Sequence, residues 1–222
     1  MANAIEKVNG IAIADIEAIN GKTDANIEKL NTLEFTGTPA DAHTLIATAT
    51  ASSSASLTFT SGIDSTYDVY EFQFINLHAA TNSVYFQFQV NATDGADYND
   101  SAITSTFFAA YHDEPSGTFA ALSYEAGDDA AQSTSDIRLT KWVANGNDES
   151  LSGKLTLYAP SSGTYVKHFM SRIANYKIEG AISDTHVAGY INDTTAIDDI
   201  KFQMSSGNID AGVIKMYGIS KS

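Results

Sequence analysis

The chain has 222 residues, 43% of them hydrophobic, which is enough for one large or two small domains with a real core. It has no cysteine, so disulfide staples, thiolate metal sites and cysteine nucleophiles are excluded. A formal charge of −15 opposes binding to a nucleic-acid backbone or an anionic membrane surface, and no apolar run reaches the roughly 18 residues of a membrane span.

Residues 1–37 repeat. Ile5-Glu6-Lys7-Val8-Asn9-Gly10 returns as Ile16-Glu17-Ala18-Ile19-Asn20-Gly21 and as Ile27-Glu28-Lys29-Leu30-Asn31-Thr32, each time offset by eleven residues. An eleven-residue period suits a right-handed coiled coil, and Ile5, Val8, Ile16, Ile19, Ile27 and Leu30 fall three apart in pairs, as on one helical face. Asn-Gly at the same place in two successive repeats opposes that reading, because Asn and Gly favour positive φ and Gly costs about 1 kcal/mol against Ala inside a helix. Short extended segments punctuated by Asn-Gly turns are therefore expected. The stripe formed by those six apolar residues is too thin to bury itself, so it predicts an assembly interface with further copies or another protein.

Residues 38–56 read as a linker. Thr36-Gly37-Thr38-Pro39 is a break, Thr44–Thr50 has the pattern of a short strand, and Ala51–Ser56 is a run of small residues. From Leu57 to the end the signal is β. Tyr70, Phe72 and Phe74 alternate along Tyr67–Leu77, and Val84, Phe86, Phe88 and Val90 along Ser83–Asn91, the period of half-buried strands. Ala79–Asn82 suits a hairpin between them. Further strands are expected at Thr104–Tyr111, Thr118–Tyr124, Ser135–Ala144, Leu151–Tyr158, Tyr165–Met170, Asn175–Glu179, His186–Ile191, Ile200–Met204 and Gly212–Ile219. Roughly ten to twelve short strands with turn-rich connections predict a mainly β chain, an antiparallel β-sandwich or jelly roll over 57–222 behind a small repeat module.

Residues 91–150 carry eleven Asp and Glu against Arg138 and Lys141, which predicts a strongly negative rim. Within that stretch Asp94, Asp97 and Asp100 form the best metal candidate, since Ca²⁺ takes oxygen ligands from closely spaced carboxylates. The spacing is not that of an EF-hand, so a solvated acidic loop is the preferred reading and no cofactor is expected. His43, His78, His112, His168 and His186 show no i, i+2 or i, i+4 pair of the kind that holds a metal. His112-Asp113-Glu114 lies near many serines, but no Gly-x-Ser-x-Gly elbow is present, so nucleophilic catalysis is not expected. Tyr98, Tyr111 and Tyr124 are candidates for stacking on sugar rings, and Trp142 falls where core packing is the default.

The repeated pattern, with Asn9-Gly10 and Asn20-Gly21, resembles the N-terminal repeats of tailed-bacteriophage virion proteins. Thr32 replaces the glycine in the third repeat. Ser205–Ile219 is similar to the closing strand of jelly-roll domains in such proteins. The resemblance implies a virion structural protein: an appendage subunit such as a fibre or collar, or a capsid decoration protein, attached through its N-terminal module with the sandwich outward. Its implied partners are other virion proteins and further copies of itself, with a homotrimer expected because three thin stripes would share one core. A host surface glycan is the alternative partner, and a polysaccharide hydrolase is the third reading. No signal peptide is evident, so release by lysis or within an assembly is expected.

Overall fold

A computed structural model describes residues 43–93, 97–98, 101–114 and 119–219, together with the backbone of six two-residue strands ahead of them. The chain divides into two compact units, Met1–Ala42 and His43–Ser222.

In the first unit β1 (Lys7–Val8) pairs antiparallel with β2 (Ile11–Ala12), β3 (Ala18–Ile19) with β4 (Lys22–Thr23), and β5 (Lys29–Leu30) with β6 (Leu33–Glu34). Two residues separate the strands of each pair, and in the first two pairs these are Asn-Gly, the favoured sequence for a two-residue hairpin connection. In the described strands, the eleven-residue period is that of successive hairpins rather than of a helix. Val8, Ile19 and Leu30 stand opposite Ile11, Lys22 and Leu33. Ile5, Ile16 and Ile27 lie outside the described residues.

The second unit is an antiparallel β-sandwich. Its strands are β7 (His43–Thr50), β8 (Leu57–Phe59), β9 (Val69–Ala79), β10 (Phe86–Ala92), β11 (Ile103–Asp113), β12 (Ala120–Tyr124), β13 (Ala130–Ser133), β14 (Ile137–Arg138), β15 (Leu151–Tyr158), β16 (Lys167–Lys177), β17 (Ala181–Ile191), β18 (Ile197–Met204) and β19 (Ile209–Ile219). A nine-stranded sheet runs in the order β12-β11-β17-β16-β15-β9-β19-β7, with β13 also paired to β11. A four-stranded sheet runs β14-β10-β18-β8. Their inner faces meet through phenylalanines. Phe202 on β18 lies 5.4 Å from Phe72 and 5.2 Å from Phe74 between ring centroids, and Phe88 on β10 lies 4.9 Å from Phe169 on β16. All five of these rings are buried, and aromatic contacts of this kind are worth about 0.5–1.5 kcal/mol each beyond burial.

Four sequence expectations change here. The 38–56 linker is shorter than expected, because His43–Thr50 is a full edge strand paired along β19 and Ser54 bridges Ile209. The sandwich unit therefore starts at His43, where the edge of β19 supplies the partner that a local reading cannot see. The hairpin expected through Ala79–Asn82 does not form: β9 and β10 lie in different sheets, with Phe74 and Phe86 meeting edge-to-face at 5.0 Å across the core. Two strands with the same buried aromatic phase can sit side by side or face to face, and periodicity does not distinguish these. The strand expected over Ser135–Ala144 shrinks to Ile137–Arg138, with a separate bridge of Val143 to Val84 and Lys177 beyond Trp142, whose left-handed φ of 53° interrupts the extended run between them. Tyr165–Met170 and Asn175–Glu179 merge into the single strand β16, which joins β17 through a short turn with Gly180 at φ 69°.

The smaller sheet covers only part of the larger one. Beneath β11, β16 and β17 the inner face turns polar, with buried Ser105, Ser171, Asn175, Lys177, Ser183 and Thr185. Residues 125–145 lie over this end: Lys177 approaches the Trp142 ring at 4.3 Å, and Asn175 donates a hydrogen bond to the Lys141 carbonyl at 3.3 Å. Within the sheet itself the Ser183 and Thr185 hydroxyls bond each other at 3.1 Å, and Lys177 bonds Glu179.

Candidate functional site

The acidic stretch is partly drawn inward. Asp128 is buried and accepts from Arg138, while Lys141 lies 3.1 Å from Asp128 and also bonds Glu125. Burial alone would raise the Glu125 carboxyl, but hydrogen bonds from Lys141 and Tyr111 outweigh it and hold the group below its ordinary range. For Lys141 a burial penalty is outweighed by its bonds to Glu125 and Asp128, which raise the ammonium. These carboxylates therefore serve an internal ion-pair cluster rather than a free negative rim. Trp142 belongs to this cluster, its ring centroid 4.7 Å from the Lys141 ammonium and 4.3 Å from that of Lys177. Its place is a capping position over buried cations, not a strand of the core as its sequence context suggests.

Of the metal candidates, Asp97 is exposed, while Asp94 and Asp100 lie outside the described residues. Among the described residues, no group of three or more His, Asp or Glu side chains converges on a metal position. The His112 ring nitrogen lies 3.0 Å from the backbone carbonyl of Asp113. A concavity of about 590 Å³ beside it is lined by Asp113, Glu114, Asp148, Ser150 and Tyr176 among others. The tyrosines expected to offer stacking surfaces divide. Tyr111 is only 8% exposed and donates to Glu125, and Tyr98 is half-buried beneath the Lys201 ammonium at 5.2 Å. Only Tyr124 is well exposed, with its hydroxyl on Asp129.

The most distinctive surface is one the sequence did not single out: the outer face of β12, β11, β17, β16 and β15. The alternation of β16 sends Phe169, Ser171 and Ile173 inward and His168, Met170 and Arg172 outward. Register then aligns Tyr124, Phe108, His186, Arg172 and Lys154 in one row across all five strands. Phe108 and His186 stack with centroids 4.8 Å apart and planes within 8°. Arg172 binds Asp184 through Nε at 3.0 Å and Nη2 at 2.8 Å, and this pairing holds the Asp184 carboxyl below its ordinary range. Lys154 reaches Glu71 on β9 at 2.7 Å. A shallow groove of about 410 Å³ runs between Phe108, Lys154, Tyr158, Met170, Arg172 and His186.

The sequence carried a partial signal for this face. His168, Met170 and Arg172 share one phase, but splitting β16 into two short strands hid the continuous row. No known protein family, curated protein or solved structure matches the chain.

Proposed function

We propose that this chain is a non-enzymatic structural subunit of a tailed-bacteriophage virion, a fibre, collar or other appendage subunit held by its N-terminal repeats with the β-sandwich projecting outward. The observation that carries the reading is the tandem of three hairpins at an eleven-residue spacing, ahead of a sandwich with its own core. A two-stranded ladder of two-residue strands buries almost nothing and is not stable in water by itself. Three such units in series need a surface to dock on, and the stripe Ile5, Val8, Ile16, Ile19, Ile27 and Leu30 supplies the apolar contacts. Three copies sharing one core would satisfy three stripes at once, which favours a homotrimer. Deleting residues 1–37 tests the reading: the truncated protein should lose oligomeric mass in solution and fail to enter the particle. Normal assembly and attachment of the truncated protein overturns it.

A capsid decoration protein would grip the shell through the same repeats, and the position of the subunit in a particle reconstruction separates the two roles. Host-glycan binding is favoured by one observation, the exposed groove containing Phe108, Tyr158, Arg172 and Lys154. A glycan array read with the intact chain tests it.

A further inference from the structure

We infer that Asn145 is a site of intramolecular deamidation, in which the Glu149 carboxylate acts as general base on the Gly146 amide. The inference does not depend on a role in a particle.

The dipeptide supplies the reacting groups. A main-chain nitrogen can attack the side-chain amide carbon of the asparagine before it and close a five-membered imide. Glycine in the second place leaves that nitrogen unshielded, since it has no Cβ. Asn-Gly occurs three times in the chain, at Asn9, Asn20 and Asn145. The obstacle in each case is that an amide nitrogen is a poor nucleophile until its proton is removed.

At Asn145 the fold places a base on that proton. Gly146 donates its N–H to Glu149 Oε2. The Gly146 carbonyl accepts from Glu149 N at 2.9 Å and from His78 Nε2 at 3.0 Å, which holds the turn against β9. A Cβ on Gly146 would stand 2.7 Å from the Glu149 carboxyl, so glycine lets the carboxylate reach the amide. Asn145 Nδ2 donates to the Ala80 carbonyl at 3.2 Å, which fixes the side chain that is attacked. Asn145 and Gly146 are half-buried and Asn147 and Asp148 exposed, so water reaches the turn. Asn9-Gly10, by contrast, has Ile13 three residues after its glycine, where this turn has Glu149.

The step balances with water as the only co-reactant. Glu149 takes the Gly146 proton as the nitrogen bonds to Asn145 Cγ. The Cγ–Nδ2 bond breaks, and the side-chain nitrogen leaves as ammonia carrying that proton. Water then opens the imide at either carbonyl, leaving aspartate or isoaspartate at position 145. Either product loses the donor to Ala80 and adds one negative charge to a chain already at −15. Isoaspartate also lengthens the main chain close to the bridge of Val143 to Val84.

Peptide mapping by mass spectrometry of the full chain, incubated at neutral pH, tests the assignment by following both acid products at positions 145 and 9. Asn145 should convert in the natural chain. Glu149→Gln should slow that conversion by about tenfold or more, a modest share of what a positioned base contributes, and leave Asn9 unchanged. In urea, where the turn is lost, the natural chain and Glu149→Gln should convert Asn145 at the same rate. Circular dichroism confirms that each variant is folded. Glu149→Asp, which keeps the charge but shortens its reach, should also slow conversion and supplies a second variant should Glu149→Gln perturb the turn. Equal rates in the folded natural chain and both variants overturn the assignment, as does an Asn145 that stays intact. Faster conversion in Glu149→Gln also overturns it, because the carboxylate then shields the amide instead of activating it.

Discussion

The two units of this chain solve the same problem, satisfying a β backbone, at opposite ends of the range of sequence separation. In the repeats every described pairing is between residues no more than five apart, as in Lys7 with Ala12. In the sandwich β7 pairs with β19 and β8 with β18, so the beginning and end of the unit are hydrogen-bonded to each other. Local pairing needs only a good turn sequence, and it buries little apolar surface. Non-local pairing closes long loops and builds a core that carries the unit. On the proposed reading this is a division of labour: one part holds itself together, and the other would be stabilised by what it docks on.

The sharpest way to break that contrast is in the aromatic core. Phe202 touches Phe59, Phe72, Phe74, Phe86 and Phe88, so Phe202→Ala should cost the sandwich about 3–5 kcal/mol in urea or thermal unfolding. A loss under about 1 kcal/mol would mean that the sheets do not depend on this contact. Next is Gly212, at φ +106°, where an added Cβ would sit 2.4 Å from the Asn76 carbonyl. Gly212→Ala should destabilise by about 1–3 kcal/mol through strain at the register shift between β9 and β19.

The ion-pair cluster gives a smaller, pH-dependent effect. The folded carboxyl of Glu125 lies below its unfolded value of about 4.3, so its stabilisation is complete above that pH and is lost as pH falls through the folded value. Glu125→Gln should therefore cost about 1–3 kcal/mol at neutral pH and flatten the acid limb of the stability curve. On the alkaline side burial and the nearby Asp199 push Tyr98 up to about 12, and burial with Glu125 raises Tyr111 further. Both phenols stay protonated in the folded state above the unfolded value of about 10. Their stabilisation is present below that pH and is lost as pH rises towards their folded values. An ultraviolet titration should show two late-ionising tyrosines that become ordinary in denaturant.

The smallest effect on stability is expected in the repeats. Gly10→Ala with Gly21→Ala should shift sandwich unfolding by no more than about 0.5 kcal/mol and, on the proposed reading, reduce particle incorporation. A large loss of sandwich stability would show that the two units are energetically one.

Much of the β-sandwich was legible before any coordinates. Alternation at Tyr70-Phe72-Phe74 and Phe86-Phe88-Val90 is a local consequence of the strand period, and all six side chains are buried as that phase requires. Asn-Gly likewise announced two-residue connections from its own turn chemistry. What local pattern could not supply was partnership. Which strand lies beside β9, whether Phe86 is its neighbour or faces it, and how β7 joins the sheet are decided by contacts between residues far apart in sequence.

The apolar outer face of β12, β11, β17, β16 and β15 was hidden for the same reason. His168, Met170 and Arg172 read as the polar phase of one strand, and Phe108, Leu122 and Ile182 as scattered apolar residues on others. The sequence by itself determined that this is a β protein with a repeated N-terminal module and a strongly acidic charge. Only the tertiary structure decided that six exposed apolar side chains share one face, because the register of five strands brings them there.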